Sequence, residues 1–230
     1  MWFWSVTSLG SHTVRRPRAV LFDCDGVVVD SEPQMNAMLK ADFARFGLLV
    51  DDEALDDMLG GPLRDVAARA IAMGARLPRD WVEDFYYRLY AELARGVPLI
   101  SGITDVLDAL DAAGILYGIG SNGSETKLKT TLSQHPGLTN RFGVVLSGQS
   151  LGKPKPAPAL YLAVASALGV APDDCVVIED SPTGARAAVA AGMRCFGYAP
   201  DLSGKLAAEG AEEFASMKDL AGLLGVARVR

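Results

Sequence analysis

Five short apolar runs punctuate the chain, and what stands at the end of each constrains fold and chemistry together. The first is Arg18-Ala19-Val20-Leu21-Phe22-Asp23, and similar runs cover residues 115–121, 144–147, 176–180 and 194–198. Apolar runs of this length, without polar alternation, fit strands buried on both faces. Stretches of helical patterning lie between them, over residues 102–113, 124–133, 157–168 and 182–191. Strands alternating with helices predict an α/β fold, a doubly wound parallel sheet with helices on both faces.

Residues 33–97 break that alternation. Met35, Met38, Leu39, Phe43 and Phe46, then Trp81, Phe85, Leu89 and Leu93, recur at helical spacing, and Gly60-Gly61-Pro62 and Leu77-Pro78 interrupt them. The segment is far longer than a crossover between parallel strands needs. It reads as an inserted all-helical domain over 33–97, within a core made of 18–32 and 98–230. Residues 1–17 read as a loosely held extension. The apolar Trp2-Phe3-Trp4 is too short for a signal sequence, and Arg15, Arg16 and Arg18 follow it rather than precede it.

Half the residues are hydrophobic and 22% are charged, enough for a buried core. No run of about 18 apolar residues predicts a membrane span. The net charge of -6 argues against a nucleic-acid partner. An anionic ligand would then need local positive charge from a metal, lysines or backbone amides. Cys24, Cys175 and Cys195 fit no zinc spacing. Their strand-like, apolar neighbours suit buried thiols in a reducing cytosol, and the expected location is cytoplasmic.

Ligands of open parallel sheets bind outside the carboxyl ends of the strands. The first run leaves Asp23 and Asp25 there, the second Ser121, Asn122 and Gly123, and the fourth Glu179, Asp180 and Ser181. Lys153 and Lys155 follow the third. Asp23 and Asp25, two apart in extended chain, face one way while Cys24 faces the other. Four carboxylates together are costly unless a cation joins them or one stays protonated. Hard oxygen ligands suit magnesium, which would also let an acidic protein hold a phosphate. Ser124 and Ser181 stand where N-caps are expected, with Pro182 in the first turn after Ser181.

The string Asp23-Cys24-Asp25-Gly26-Val27-Val28-Val29-Asp30-Ser31 resembles the first motif of the haloacid dehalogenase superfamily, in its phosphatase branch. Ser121-Asn122 resembles the second motif, Lys-Pro-x-Pro the third, and Glu179-Asp180-Ser181-Pro182-Thr183-Gly184 the fourth, in order, over residues 18–200. The insert resembles that superfamily's first-type cap. The likeness leans to the group of beta-phosphoglucomutase, phosphoglycolate phosphatase and other sugar-phosphate phosphatases. It implies magnesium-dependent hydrolysis of a small phosphorylated metabolite through an aspartyl phosphate. Asp23 would be the nucleophile and Asp25 the general acid, then base, starting protonated through burial or its carboxylate neighbours. Ser121 and the Asn122 amide would bind the phosphate. Asp23, Asp25 (by its backbone carbonyl), Glu179 and Asp180 would hold the metal, Glu179 directly or through water.

Lys-Pro-x-Pro occurs twice in Lys153-Pro154-Lys155-Pro156-Ala157-Pro158. Distances to Tyr161 and Glu179 favour Lys155 as the motif lysine, and the preceding Gly152 favours Lys153; Lys155 is preferred. Arg64 falls where related caps carry a specificity loop, and would meet a second anionic group of the substrate; its other reading is a surface residue beside Asp65. Joints near 31–33 and 97–101 would let the cap close.

Met35 stands where beta-phosphoglucomutase has a histidine, and the two histidines, His12 and His135, lie outside the insert. Hydrolysis is therefore favoured over phosphomutase chemistry. Asp25 argues against a true haloacid dehalogenase. Phosphonoacetaldehyde hydrolases use a cap lysine, and the insert's single lysine, Lys40, has no active-site context. A phosphorylatable sensor domain needs neither the aspartate pair nor a large cap. Oligomeric state is not legible, and a monomer fits.

Overall fold

The computed structural model describes residues 16–59 and 62–226. Its six strands are β1 (Ala19–Phe22), β2 (Leu116–Ser121), β3 (Val144–Ser147), β4 (Cys175–Glu179), β5 (Arg194–Tyr198) and β6 (Glu212–Phe214). They form one sheet in the order β3-β2-β1-β4-β5-β6, with every neighbouring pair parallel. The α/β parallel sheet expected from the sequence is the fold.

β1 lies inside the sheet, with Phe22 in register with Ile119 on one side and Ile178 on the other. All four β1 residues are fully buried. Strand alternation splits them between two apolar layers. Val20 and Phe22 pack with Ile103, Leu107 and Leu220, whereas Ala19 and Leu21 pack with Tyr161, Val164 and Ala188. The first layer belongs to α5 (Ile103–Ala113) and α10 (Met217–Leu223), the second to α8 (Ala159–Leu168) and α9 (Pro182–Ala190). Crossovers thus cover both faces, as parallel sheets require.

Between β1 and β2 the chain forms α1 (Glu32–Arg45), α2 (Asp52–Met58), α3 (Leu63–Ala72) and α4 (Trp81–Leu93) before α5. The spacing of Trp81, Phe85, Leu89 and Leu93 puts all four on the buried stripe of α4. Phe43 meets Trp81 with ring centroids 5.8 Å apart. Buried Asp42 accepts from Trp81 Nε1 at 2.8 Å and from Arg88 Nη2 at 2.5 Å, which satisfies its charge. The two connections between insert and sheet run side by side: Asp30 N donates to Pro98 O and Ile100 N to Val28 O. His135 Nε2 lies 2.8 Å from Val97 O on the same side.

Several bounds shift by one or two residues from the sequence reading. β6 and α10 were not anticipated; Glu212–Phe214 is too short and acidic to signal a strand. Cys24, Cys175 and Cys195 are buried and free. Among the described residues no helix is long and apolar enough to cross a membrane. Of residues 1–17, only Arg16 and Pro17 are described, and Arg16 Nη2 donates to Ala113 O. Gly60 and Gly61 lie outside the described residues.

Candidate active site

The carboxyl edge of the sheet gathers the residues that the strand ends supply. Asp23 N continues the ladder by donating to Ile178 O at 2.9 Å, so its side chain emerges where β1 stops. The chain then turns tightly: Gly26 N donates to Val29 O at 2.8 Å, and Gly26 has φ 75°. Only glycine adopts that conformation at little cost. A Cβ there would also overlap the Asp180 carboxylate. One glycine therefore makes the turn and leaves room for an acid from β4.

Of Lys153 and Lys155, Lys155 reaches this edge and Lys153 is exposed. Lys155 Nζ lies 2.5 Å from Asp23 Oδ1 and 2.6 Å from Glu179 Oε1. Its backbone is fixed by Asn122, whose Oδ1 accepts from Lys155 N at 2.8 Å and whose Nδ2 donates to Lys155 O at 3.1 Å. The Asn122 side chain is thus a clamp on the lysine's peptide.

Glu179 has no solvent exposure, and both its oxygens are occupied. Oε1 accepts from Lys155 and from Tyr161 Oη at 2.6 Å. Oε2 accepts from Asp180 N, Ser181 N and Ser181 Oγ. Ser181 Oγ in turn accepts from Gly184 N, capping α9. A Cβ at Gly184 would overlap the Glu179 carboxylate.

Burial pushes the Asp23 carboxyl up to about 7; Lys155 pulls it down, and Glu179 and Asp25 add to the rise. Burial also holds Asp180 well above the usual carboxylate range, helped by Asp23 and Glu179. Burial opposes the charge of Lys155, yet Asp23 and Glu179 outweigh it and keep the ammonium form. Asp23, Glu179 and Asp180 each offer an oxygen, all within 4.8 Å of one another. A cation there would offset the burial that disfavours the charged forms of Asp23 and Asp180, and all the donors are hard oxygens, so the set fits magnesium.

Asp25 stands apart from that trio. Its Oδ1 accepts from Ser31 Oγ at 2.5 Å and pairs with Lys127 Nζ at 2.8 Å. Lys127 belongs to α6 (Glu125–Leu132), the helix after β2. Asp23, Asp25, Ser121, Gly123, Lys155 and Thr183 are among the residues around a cavity of about 110 Å³. Ser121 Oγ is buried and accepts from Gly123 N at 3.0 Å. The insert touches this side of the core through Tyr90 Oη, 2.9 Å from Ser124 Oγ.

The structure brings together Asp23, Asp25, Ser121, Asn122, Lys155, Glu179 and Asp180. Arg64 does not join them: its side chain is 79% exposed and its Nε lies 3.6 Å from Asp65 Oδ1. Met35 packs against the apolar cluster. Sequence reasoning passed over Lys127 and Tyr90, took Ser31 only as the end of the first motif and a joint of the cap, and used Tyr161 only as a distance marker. The available signal for Lys127 was its place three residues after a capping serine, which puts it in the first turn beside the site.

A parallel sheet with an acid pair after its first strand and a buried lysine bridging two acids defines a class. The chain belongs to the haloacid dehalogenase-like hydrolases, whose family model matches residues 20–198. It is 34% identical over 179 residues to a phosphoglycolate phosphatase of Xylella fastidiosa, covering 77% of this chain and 78% of that one. It is 31% identical over 183 residues to a fructose-1-phosphate phosphatase of Escherichia coli, covering 77% and 94%. Among solved structures, it is similar to a family hydrolase from Deinococcus radiodurans with bound phosphate and sodium, with a TM-score of 0.77, 32% identity, and 92% and 97% coverage.

Proposed function

We propose that the chain is a magnesium-dependent phosphatase of small phosphorylated metabolites, a sugar phosphate or phosphoglycolate, working through phosphorylation of Asp23. The observation that carries this reading is Lys155 Nζ held between Asp23 and Glu179 at the rim of the phosphate-sized cavity. The names of the two relatives support the substrate class.

Asp23 and Asp180 would hold the metal, with the Asp25 carbonyl as in the resembled family. Glu179, committed to five donors, acts chiefly as the anchor of Lys155. The metal, when bound, supplies positive charge against the phosphate and against the buried acids. Ser121 and Lys155 bind the phosphate oxygens and orient phosphorus toward the Asp23 carboxylate. An Asp23 oxygen attacks phosphorus as the bond to the leaving oxygen breaks, and the Asp25 carboxyl gives that oxygen its proton. Water then attacks the phosphorus, passing a proton to Asp25 and freeing Asp23 and inorganic phosphate. Residues 33–97 act as a cap that excludes bulk water, docking through Tyr90 and hinging where Asp30 meets Pro98.

The test is phosphate release from 2-phosphoglycolate and a panel of sugar phosphates, with magnesium and with a chelator. Release is expected only with the metal, and Asp23→Asn is expected to abolish it. Undiminished turnover by that variant would remove Asp23 as the nucleophile.

A further inference from the structure

Lys127 sits where a lysine is least expected. It lies in the first turn of α6, at the positive end of the helix dipole, where a cation is disfavoured. Lysines at surface helix turns normally carry the ammonium into water. Here the side chain is only 15% exposed and Nζ is 2.8 Å from Asp25 Oδ1.

The contact is also selective for one oxygen. Ser31 Oγ donates to the same Oδ1 at 2.5 Å. Two donors on one oxygen fix the carboxyl plane and leave the other oxygen to face a different partner. That other atom, Oδ2, faces the Gly123 turn, where an added Cβ would lie 3.8 Å from it, and Gly123 lines the cavity. Moreover, the turn that holds Lys127 is the one on which the insert docks. Ser124 Oγ accepts from Lys127 N at 3.1 Å and meets Tyr90 Oη at 2.9 Å.

We propose that Lys127 is a positioning residue that fixes Asp25 by Oδ1, leaving Oδ2 to exchange protons with the leaving oxygen and with water. The inference rests on the reading of Asp25 as acid and base given above. It assigns Lys127 a role through Asp25 and not a contact with substrate.

The experiment compares Lys127→Met, Lys127→Arg and Asp25→Asn with the wild type on two kinds of ester. One is an alkyl phosphate that the enzyme turns over, whose leaving oxygen needs a proton. The other is p-nitrophenyl phosphate, whose leaving group departs as the anion, followed as the pre-steady-state burst of p-nitrophenolate. Lys127→Met is expected to lower kcat on the alkyl ester about 10- to 100-fold, with KM within about threefold and the burst rate within about threefold. Lys127→Arg is expected to recover most of the lost kcat, and it carries the test should the methionine variant fail to fold. Equal losses on both esters, a rise in KM at unchanged kcat, or no loss at all would overturn the proposal. An Asp25→Asn enzyme that does not discriminate between the esters would instead overturn the reading of Asp25. That result differs from a failure confined to the Lys127 variants.

Discussion

Glu179 is the residue on which the others depend. Its two oxygens collect a lysine, a tyrosine, a serine and two backbone amides, and it fits only because Gly184 has no side chain. The neighbour that a Cβ at 184 would meet is a buried carboxylate held on all sides, so it has little freedom to yield. Gly184→Ala is therefore expected to destabilise the protein by about 1–3 kcal/mol, read as a lower urea midpoint at unchanged slope, and to impair phosphate release by displacing Lys155. The sequence displayed the acids and lysines but not their division of labour. Glu179 and Asp180 are adjacent and chemically alike; which one faces the lysine depends on strand alternation and on the α9 turn. Lys155 and Lys153 were separable only by counting residues, whereas in space the Asn122 clamp distinguishes them. Lys127 escaped notice because a lysine on a helix reads as solvated, and its inward course depends on its neighbours in three dimensions.

At the scale of elements, the strands were legible where burial on both faces made them continuously apolar. β3 and β5 have the bounds read from the sequence, and β2 and β4 differ by one residue. β6 was not legible because its three residues, two of them glutamates, are held by pairing with β5 and by Phe214 rather than by propensity. The insert's helices announced themselves through periodicity, yet not the way α4 leans on the core through Tyr90. α9 shows how a helix start can serve the site: Ser181 caps it and braces Glu179 with the same hydroxyl. Ser181→Ala should cost about 1–2 kcal/mol in chemical denaturation, at the upper end of a lost N-cap because a buried charge also loses a donor. A change near zero would mean that the two amides on Glu179 suffice alone.

For the whole molecule, the order of strands decides where rigidity lies. β1, which delivers Asp23, has partners on both edges and apolar layers on both faces, and one continuous cluster joins its Phe22 side to Leu39 and Phe85 of the insert. Backbone amides in such a strand open only when the entire fold does, whereas short outer helices such as α2 open by local events. Deuterium uptake should accordingly be slowest at 19–22, with an opening free energy equal to that from denaturant unfolding, and faster by orders of magnitude at 52–58. Equal rates in the two segments would contradict this ranking. The floor beneath Asp23 would then behave as bedrock: thermal agitation can reshape the outer helices many times over before it disturbs the strand that carries this carboxylate.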